Sequence, residues 1–412
     1  MEGGVSRWLA FPNATGTVAL LCEGQPVNPA ATVSNPLRAI IAAMIRRDGP
    51  MSFERFMDLA LYHPQHGYYA SGLARQGKRG DYYTSPTVSP VFGQLIAKQL
   101  AEMWDALGRP QPFWVVEFGG GAKPYLAQDI LSWATGTHLR FAQALRYALI
   151  ETARPQPHSL RHGEPIAELN NSAISGPGAF LPVRQLDDLV DKHLIGCVLS
   201  NEFVDSLPVA RIRRVGREWQ EVCISTEWTE VTRPIASEEL KREVASLPLS
   251  AVAEYTTEVH LAAARWIRQV AERLERGFVL TIDYGLTEAA YYAPERTDGT
   301  LRCFYKHTVG NDALARTGLQ DITADVNFSA LARHGREAGL EVCGLTDQTS
   351  FLLGIGEAEI SRWIESDPPK ARAAFALLHP EGMGAAFKVL IQHKNAPGIN
   401  LSGLSRRVER ML

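Results

Sequence analysis

The sequence predicts an α/β protein built on an open, mostly parallel sheet with additional elements. Four short apolar runs carry this: FWVVEF (113–118), YALIET (147–152), CVLSNEF (197–203) and FVLTIDYG (278–285). Continuous runs of that length suit strands buried on both faces. Helical periodicity falls between them, and alternation of the two patterns marks strand–helix–strand units.

The other elements follow in chain order. Residues 1–36 hold several Gly, Pro, Asn and Thr and read as a loosely ordered extension. LRAIIAAMIRR (37–47) has helical spacing and stops at the turn signal Asp48-Gly49-Pro50. Ser52 is placed to cap a second helix reaching about Tyr62. An aromatic stretch follows, and residues 90–107 read as helix again, so 37–110 form an N-terminal helical region. Residues 111–395 form the core. Within it, 208–225 read as a hairpin turning near Gly216. Residues 257–276 read as an amphipathic helix through Val259, Ala263, Ile267, Val270 and Leu274. Thr256 or Thr257 would cap it, and Gly277 would end it. AAFKVLIQHK (385–394) is a further strand. Residues 396–412 form a tail whose end, LSRRVERML, reads as a solvated helix.

Composition narrows the function. Hydrophobic residues make up 45% of 412, enough for a large core. There are 42 basic and 45 acidic residues, so no electrostatic footprint for nucleic acid exists. The cysteines at 22, 197, 223, 303 and 343 lack metal-like spacing and read as thiols of a reducing compartment. No apolar stretch approaches the roughly 20 residues of a membrane helix, which argues against membrane insertion.

Each of the four apolar runs ends in an acid: Glu117, Glu151, Glu202 and Asp283. Ligands of open α/β sheets sit outside the carboxyl ends of the strands, where these acids would form a rim that accepts hydrogen bonds. The first run leads into VVEFGGGAKPYLAQDIL (115–131). A nucleoside-triphosphate loop needs a Lys-Ser/Thr ending that this stretch lacks. A dinucleotide loop needs a third glycine where Pro124 stands, and proline removes an N–H from the pyrophosphate cradle. S-adenosylmethionine (SAM) fits better, because it is cationic at its reactive sulfur and presents ribose hydroxyls. Gly119, Gly120 and Gly121 would let the backbone approach its methionyl end. Glu151 is placed to accept the ribose hydroxyls, and Glu117 to take the ammonium directly or through water.

Several stretches together resemble the MidA-type class I SAM-dependent methyltransferases, a family that includes the mitochondrial arginine methyltransferase assisting complex I assembly. They are GPMSFERFMDLALYHPQHGYY (49–69), RGDYYTSPTVSPVFG (79–93), VVEFGGG, SNEFVDSLPVARI (200–212), TIDYG (281–285), DITADVNFSAL (321–331) and GMGAAFKVLIQ (382–392). The resemblance implies a Rossmann-like sheet of seven strands, mostly parallel with the last antiparallel, and SAM as methyl donor. It implies that Asp81, Thr84 and Ser85 close over the cofactor. It also implies a soluble enzyme of the cytoplasm, or of the mitochondrial matrix in a eukaryote. Lys123 departs from the family's third glycine, which keeps a degenerate assembly module open as an alternative.

The acceptor is a protein arginine side chain by resemblance, with a small-molecule O- or N-methyltransferase as the rival. Guanidinium stays protonated, so carboxylates would have to grip it. Glu202 and Asp205 are the best pair, with Asn201 orienting the acceptor. Asn201 and Asp205 could instead cap the following turn. Asp283 and Tyr284 are further acceptor candidates. His63, His66 and His307 are lone histidines without metal spacing. Tyr68, Tyr69, Tyr82 and Tyr83 would form a lid, a substrate wall or plain core. A homodimer is compatible with the sequence.

Overall fold

The structure, a computed structural model, describes residues 9–12, 18–21, 35–70, 85–121, 124–151, 179–183, 185–189, 191, 193–248, 252–306, 308–396 and 400–409. Seven strands form the central sheet: β1 (Phe113–Phe118), β2 (Leu145–Ile150), β3 (Ala179–Val183), β4 (Leu194–Asn201), β5 (Leu274–Leu286), β6 (Glu341–Asp347) and β7 (Phe387–Lys394). Their order across the sheet is β6-β7-β5-β4-β1-β2-β3. Neighbours from β5 to β3 run parallel, and β7 is antiparallel to both β5 and β6. Val326–Asn327 adds a short parallel pairing at the end of β5.

Both faces of the sheet are covered, as the unbroken apolar runs require. Phe113, Val115, Tyr147, Leu149, Cys197 and Leu199 pack toward α3 (Pro90–Ala106), α4 (Tyr125–Thr137) and α7 (Gln348–Ser366). Val116, Phe118, Ala148 and Val198 pack toward α5 (Leu261–Arg273) and α6 (Phe328–Glu337). From β1 the chain steps one way to β2 and β3, and from β4 the other way to β5. The sheet's switch point therefore lies between β1 and β4, and ligands of open α/β sheets bind at such a point, outside the strand ends.

The N-terminal helices form where capping demands. Asn35 accepts the N–H groups of Leu37 and Arg38 to start α1 (Pro36–Asp48), and Gly49, at φ 87°, ends it. Ser52 accepts Arg55 N–H to start α2 (Phe53–Tyr62). Leu37, Ile41, Phe53 and Phe56 share a second core with Ile224, Cys303 and Ile322. Those partners lie on a five-stranded sheet that includes the hairpin Ala210–Val215/Glu218–Ile224, and on a three-stranded sheet around Arg302–Tyr305. Leu9–Pro12 and Val18–Leu21 pair antiparallel.

Three expectations are corrected. The helix read over 257–276 begins only at Leu261, because Thr256–Val259 pair with Ala210–Arg213 as a strand, and His260 takes the N-cap. Gly277 does not end it. The helix ends at Arg273, and Gly277 lies in β5 in register with Gly196 of β4, which is in register with Trp114 of β1. The C-terminal tail is not a solvated helix. Ser402 binds Glu102, Gly403 N–H reaches Gln99, and Glu409 bridges to Leu345 on β6. The tail thus covers an edge strand that would otherwise expose unpaired backbone groups.

A Cβ on Gly196 would land on the carbonyl of Trp114, and one on Gly277 on the carbonyl of Gly196. Glycine here permits the close backbone approach at the centre of the sheet. Gly196→Ala is expected to lower unfolding free energy by about 3 kcal/mol, measured by urea denaturation; an unchanged midpoint would show that the sheet yields there.

Candidate active site

The glycine turn follows β1 directly. Gly119 and Gly121 have φ of 75° and 69°, the left-handed region that a side chain resists. Gly119 N–H donates to Ile150 C=O at 3.1 Å, and Gly121 N–H to Glu151 Oε2 at 2.8 Å. Glu151 thereby ties the turn to the end of β2. A Cβ on Gly120 would strike Leu149 and come within 3.2 Å of Glu117 Oε1. Pro124 then takes the N-cap of α4, where its missing N–H costs nothing. Lys123, the departure from the family pattern, lies outside the described residues.

Glu117 is more deeply placed than a rim residue. It is 2% exposed, on the α3/α4 side of the sheet, and Tyr147 Oη donates to its Oε2 at 2.7 Å. Burial pushes its carboxyl up to about 7, with the charge of Glu151 adding to the rise and the tyrosine opposing it.

The second turn follows β4, across the switch point. Glu202 has φ of 53°, an unusual conformation for glutamate. Its N–H is held by Ile282 C=O at 3.0 Å. Its Oε1 accepts Ser85 N–H at 2.9 Å and Asn201 Nδ2 at 3.0 Å. No described residue donates to Oε2. Burial pushes Glu202 up to about 8, with the Asp205 charge adding and the two donors opposing. Val204–Ser206 make one 3₁₀ turn carrying Asp205. Asp205 is 8% exposed, and no described residue hydrogen-bonds its carboxylate. Burial and the charges of Asp283 and Asp321 hold its carboxyl well above the usual range, against Arg302. Asn201 Oδ1 is buried without a donor.

Aromatic and acidic residues wall this turn. Tyr62, at the end of α2, bonds Ser206 Oγ at 3.0 Å and packs at a tilt against Tyr69, with ring centroids 5.3 Å apart. Tyr69 Oη donates to Asp321 at 2.7 Å, and Arg302 pairs with Asp325. Tyr284 lies on Phe387, 3.9 Å between centroids, with Arg302 above its ring. The two turns touch, since a Cβ on Gly119 would come within 2.8 Å of the Phe203 ring.

The expected site residues therefore fall into two adjoining groups. Glu117, Gly119, Gly120, Gly121 and Glu151 form one. Asn201, Glu202 and Asp205 form the other, with Ser85 buried against Glu202. Asp81, Thr84, His307, Tyr82 and Tyr83 lie outside the described residues. Asp283 is not an acceptor-facing rim acid: it is fully buried, and its oxygens accept backbone N–H groups. Tyr68 is core, and His63 accepts the N–H groups of Gln65 and His66 in a turn. No group of metal-ligating side chains occurs among the described residues. The four described cysteines are unpaired. No described helix is long and apolar enough to cross a membrane.

Tyr62, Tyr147, Asp321, Asp325 and Arg302 were not anticipated as site residues. Tyr147 sits inside an apolar run and gives no polar signal. Asp321 and Asp325 could have been suspected as two acids within the otherwise uncharged DITADV.

The chemistry of the site fits one donor. The charged side chains described next to the glycine turn are carboxylates, which accept hydrogen bonds and favour cations. They match a ligand bringing hydroxyls, an ammonium and a cationic sulfur, and they repel a diphosphate. A seven-stranded sheet whose bare turn and acids meet at the switch point defines a SAM-dependent methyltransferase. A family model of S-adenosyl-L-methionine-dependent methyltransferases matches residues 95–346. The chain is 30% identical to the mitochondrial protein arginine methyltransferase NDUFAF7 homolog of Drosophila melanogaster, over 98% of this chain and 97% of that one. It is 28% identical to human mitochondrial protein arginine methyltransferase NDUFAF7, over 90% and 86%. A COG1565 superfamily member from Burkholderia thailandensis, solved with S-adenosyl-homocysteine, superimposes with TM-score 0.78 at 31% identity, covering 94% of this chain and 98% of that one. The chain belongs to the MidA-type family of SAM-dependent methyltransferases.

Glu151→Ala removes the carboxylate that ties Gly121 to the end of β2. Calorimetric titration is expected to show SAM affinity lowered at least about tenfold, one charge-assisted hydrogen bond's worth. Wild-type affinity in this variant would place the ribose elsewhere.

Proposed function

We propose that this enzyme methylates the guanidinium of a protein arginine side chain. The observation that carries the reading is a set of open acceptors beside the glycine turn: Glu202 Oε2, the Asp205 carboxylate and Asn201 Oδ1. A buried acceptor without a donor, as Asn201 Oδ1 is, is costly, and the open oxygens of Glu202 and Asp205 in the same turn suit a ligand rich in donors. Guanidinium brings five N–H groups in a planar fork and a positive charge that carboxylates attract. Tyr62 and Tyr69 offer flat apolar walls of a kind that an arginine stem and fork pack against. The names of the relatives point to the same acceptor. They also point to the mitochondrion as the place of action if the chain is eukaryotic.

SAM, when bound, supplies an electrophilic methyl on a positively charged sulfur. The glycine turn and Glu151 would hold it from the β1–β2 side, with Glu117 beneath. Glu202 and Asp205 would orient the guanidinium and draw its charge toward the far nitrogens, leaving electron density on the attacking one. The new N–C bond takes that nitrogen's pair, the C–S bond electrons return to sulfur, and one N–H proton must leave. Asp205, whose carboxyl burial and neighbouring charges raise, would take that proton. Alignment supplies most of the acceleration, because the donor is already activated.

Glu202→Gln is expected to lower kcat/KM for an arginine peptide about 100-fold or more while leaving SAM affinity nearly intact. Only the ionised carboxylate pairs with guanidinium, so acceptor kcat/KM of the wild type should rise with pH and level off above about 8. Unchanged turnover in Glu202→Gln, or a flat profile from pH 6 to 9, would remove this assignment.

A further inference from the structure

Asp283 lies on β5 beneath the turn that carries Glu202 and Asp205. Its Oδ2 accepts the N–H groups of Phe203, Val204 and Asp205 at 3.2, 2.8 and 3.2 Å. Its Oδ1 accepts Tyr284 N–H at 2.9 Å. Three successive N–H groups converging on one oxygen make an anion-binding concavity, and here the chain fills it with its own carboxylate. Leaving a parallel strand in so sharp a bend strips these N–H groups of sheet partners, and burial denies them water. The neighbouring residue completes the grip, since Ile282 C=O holds Glu202 N–H at 3.0 Å. Residues 282 and 283 thus fix every N–H from 202 to 205. On the far side, Asp205 C=O is held by Ala324 N–H at 2.9 Å.

The left-handed conformation of Glu202 needs this support. Such a conformation persists in a residue with a side chain only where the surroundings over-determine it. Relaxing it would swing the carboxylate away from Ser85 and Asn201, and would turn Asp205 with it. The described hydrogen bonds of Asp283 are all to backbone N–H groups, so it acts on the acceptor carboxylates through the path of the backbone and through its charge beside Asp205.

We propose that Asp283 is a positioning residue for methyl transfer: by gathering three backbone N–H groups it locks the bend at Glu202 and holds both acceptor carboxylates at the donor crevice. The inference rests on the reading of Glu202 and Asp205 as acceptor ligands. Asp283→Asn keeps the volume but presents an amide NH₂ where an oxygen now accepts. The expected result is SAM affinity within about threefold of wild type, with acceptor kcat/KM about 100-fold lower, mostly through KM. Hydrogen–deuterium exchange across 201–206 should quicken at least about tenfold, with β1 and β4 unchanged. Exchange that quickens, or a lowered Tm, with acceptor kcat/KM within about threefold of wild type would overturn the proposal and leave Asp283 a stabilising residue only. Glu202→Gln assayed in parallel separates the two claims. If it is impaired and Asp283→Asn is not, only the positioning role falls. If Glu202→Gln is fully active, the acceptor reading falls and takes this inference with it. Should Asp283→Asn fail to fold, exchange in the wild type decides: the amides of 203–205 should be as protected as those of β4, and loop-like exchange would refute the lock.

Discussion

Phe203 lies against the Cα of Gly119, closer than any side chain at that position would permit. Through this contact the turn after β1 and the turn after β4 become two walls of one crevice. The contact sits where the sheet reverses its direction of growth, the place at which ligands of open α/β sheets bind. Phe203 in turn is wedged by Phe118 and Trp266, 5.5 and 5.8 Å between ring centroids, which anchors it to the core beneath. In the proposed reading, a bare glycine on one side and a fixed aromatic on the other would set the distance between donor and acceptor.

The acids around this contact divide by what satisfies them. Asp283 is saturated by backbone N–H groups and serves the fold. Glu151 and Glu117 are partly engaged, by Gly121 and Tyr147, and lie on the donor side. Glu202 and Asp205 keep oxygens without a described donor. Burial raises the carboxyls of Glu117, Glu202 and Asp205 alike, so each favours a proton until a cation arrives. In the proposed reading, a sulfonium on one side and a guanidinium on the other would supply that charge. Glutamate in a left-handed conformation is the visible cost of presenting an acid there, a strain of about 1–3 kcal/mol placed where function gains from it.

Much of the central sheet was legible in the sequence because its strands are buried on both faces and read as unbroken apolar runs. FWVVEF coincides with β1 at both ends. The acids at the strand ends were equally visible, since a charge closing an apolar run is conspicuous. What they do was not. Asp283 and Glu202 look alike in sequence, each an acid at a strand end, and only the path of the backbone distinguishes a buried anchor from an open ligand. The boundary at Leu261 was missed because TTEV and the helix after it share one apolar periodicity, and only pairing with Ala210–Arg213 separates them. The tail was misread because its charges suggested solvent, whereas Leu401, Gly403 and Glu409 meet α3, α7 and β6 through contacts hundreds of residues or one strand away. Tyr62 joined the site for the same reason: its partner Ser206 is 144 positions distant.

The claim on which the rest depends is that donor and acceptor sites share the wall formed by Gly119 and Phe203. The most direct measurement is the affinity of an adenosyl thioether carrying a tethered guanidine at the position of the transferred methyl, compared with S-adenosylhomocysteine. A guanidine delivered into the Glu202–Asp205 turn should bind at least about 100-fold tighter, as expected of a ligand joining both halves of the transition state, and Glu202→Gln should abolish the gain. Affinity equal to that of S-adenosylhomocysteine in both proteins would mean that the acceptor enters elsewhere and that the open carboxylates serve another purpose.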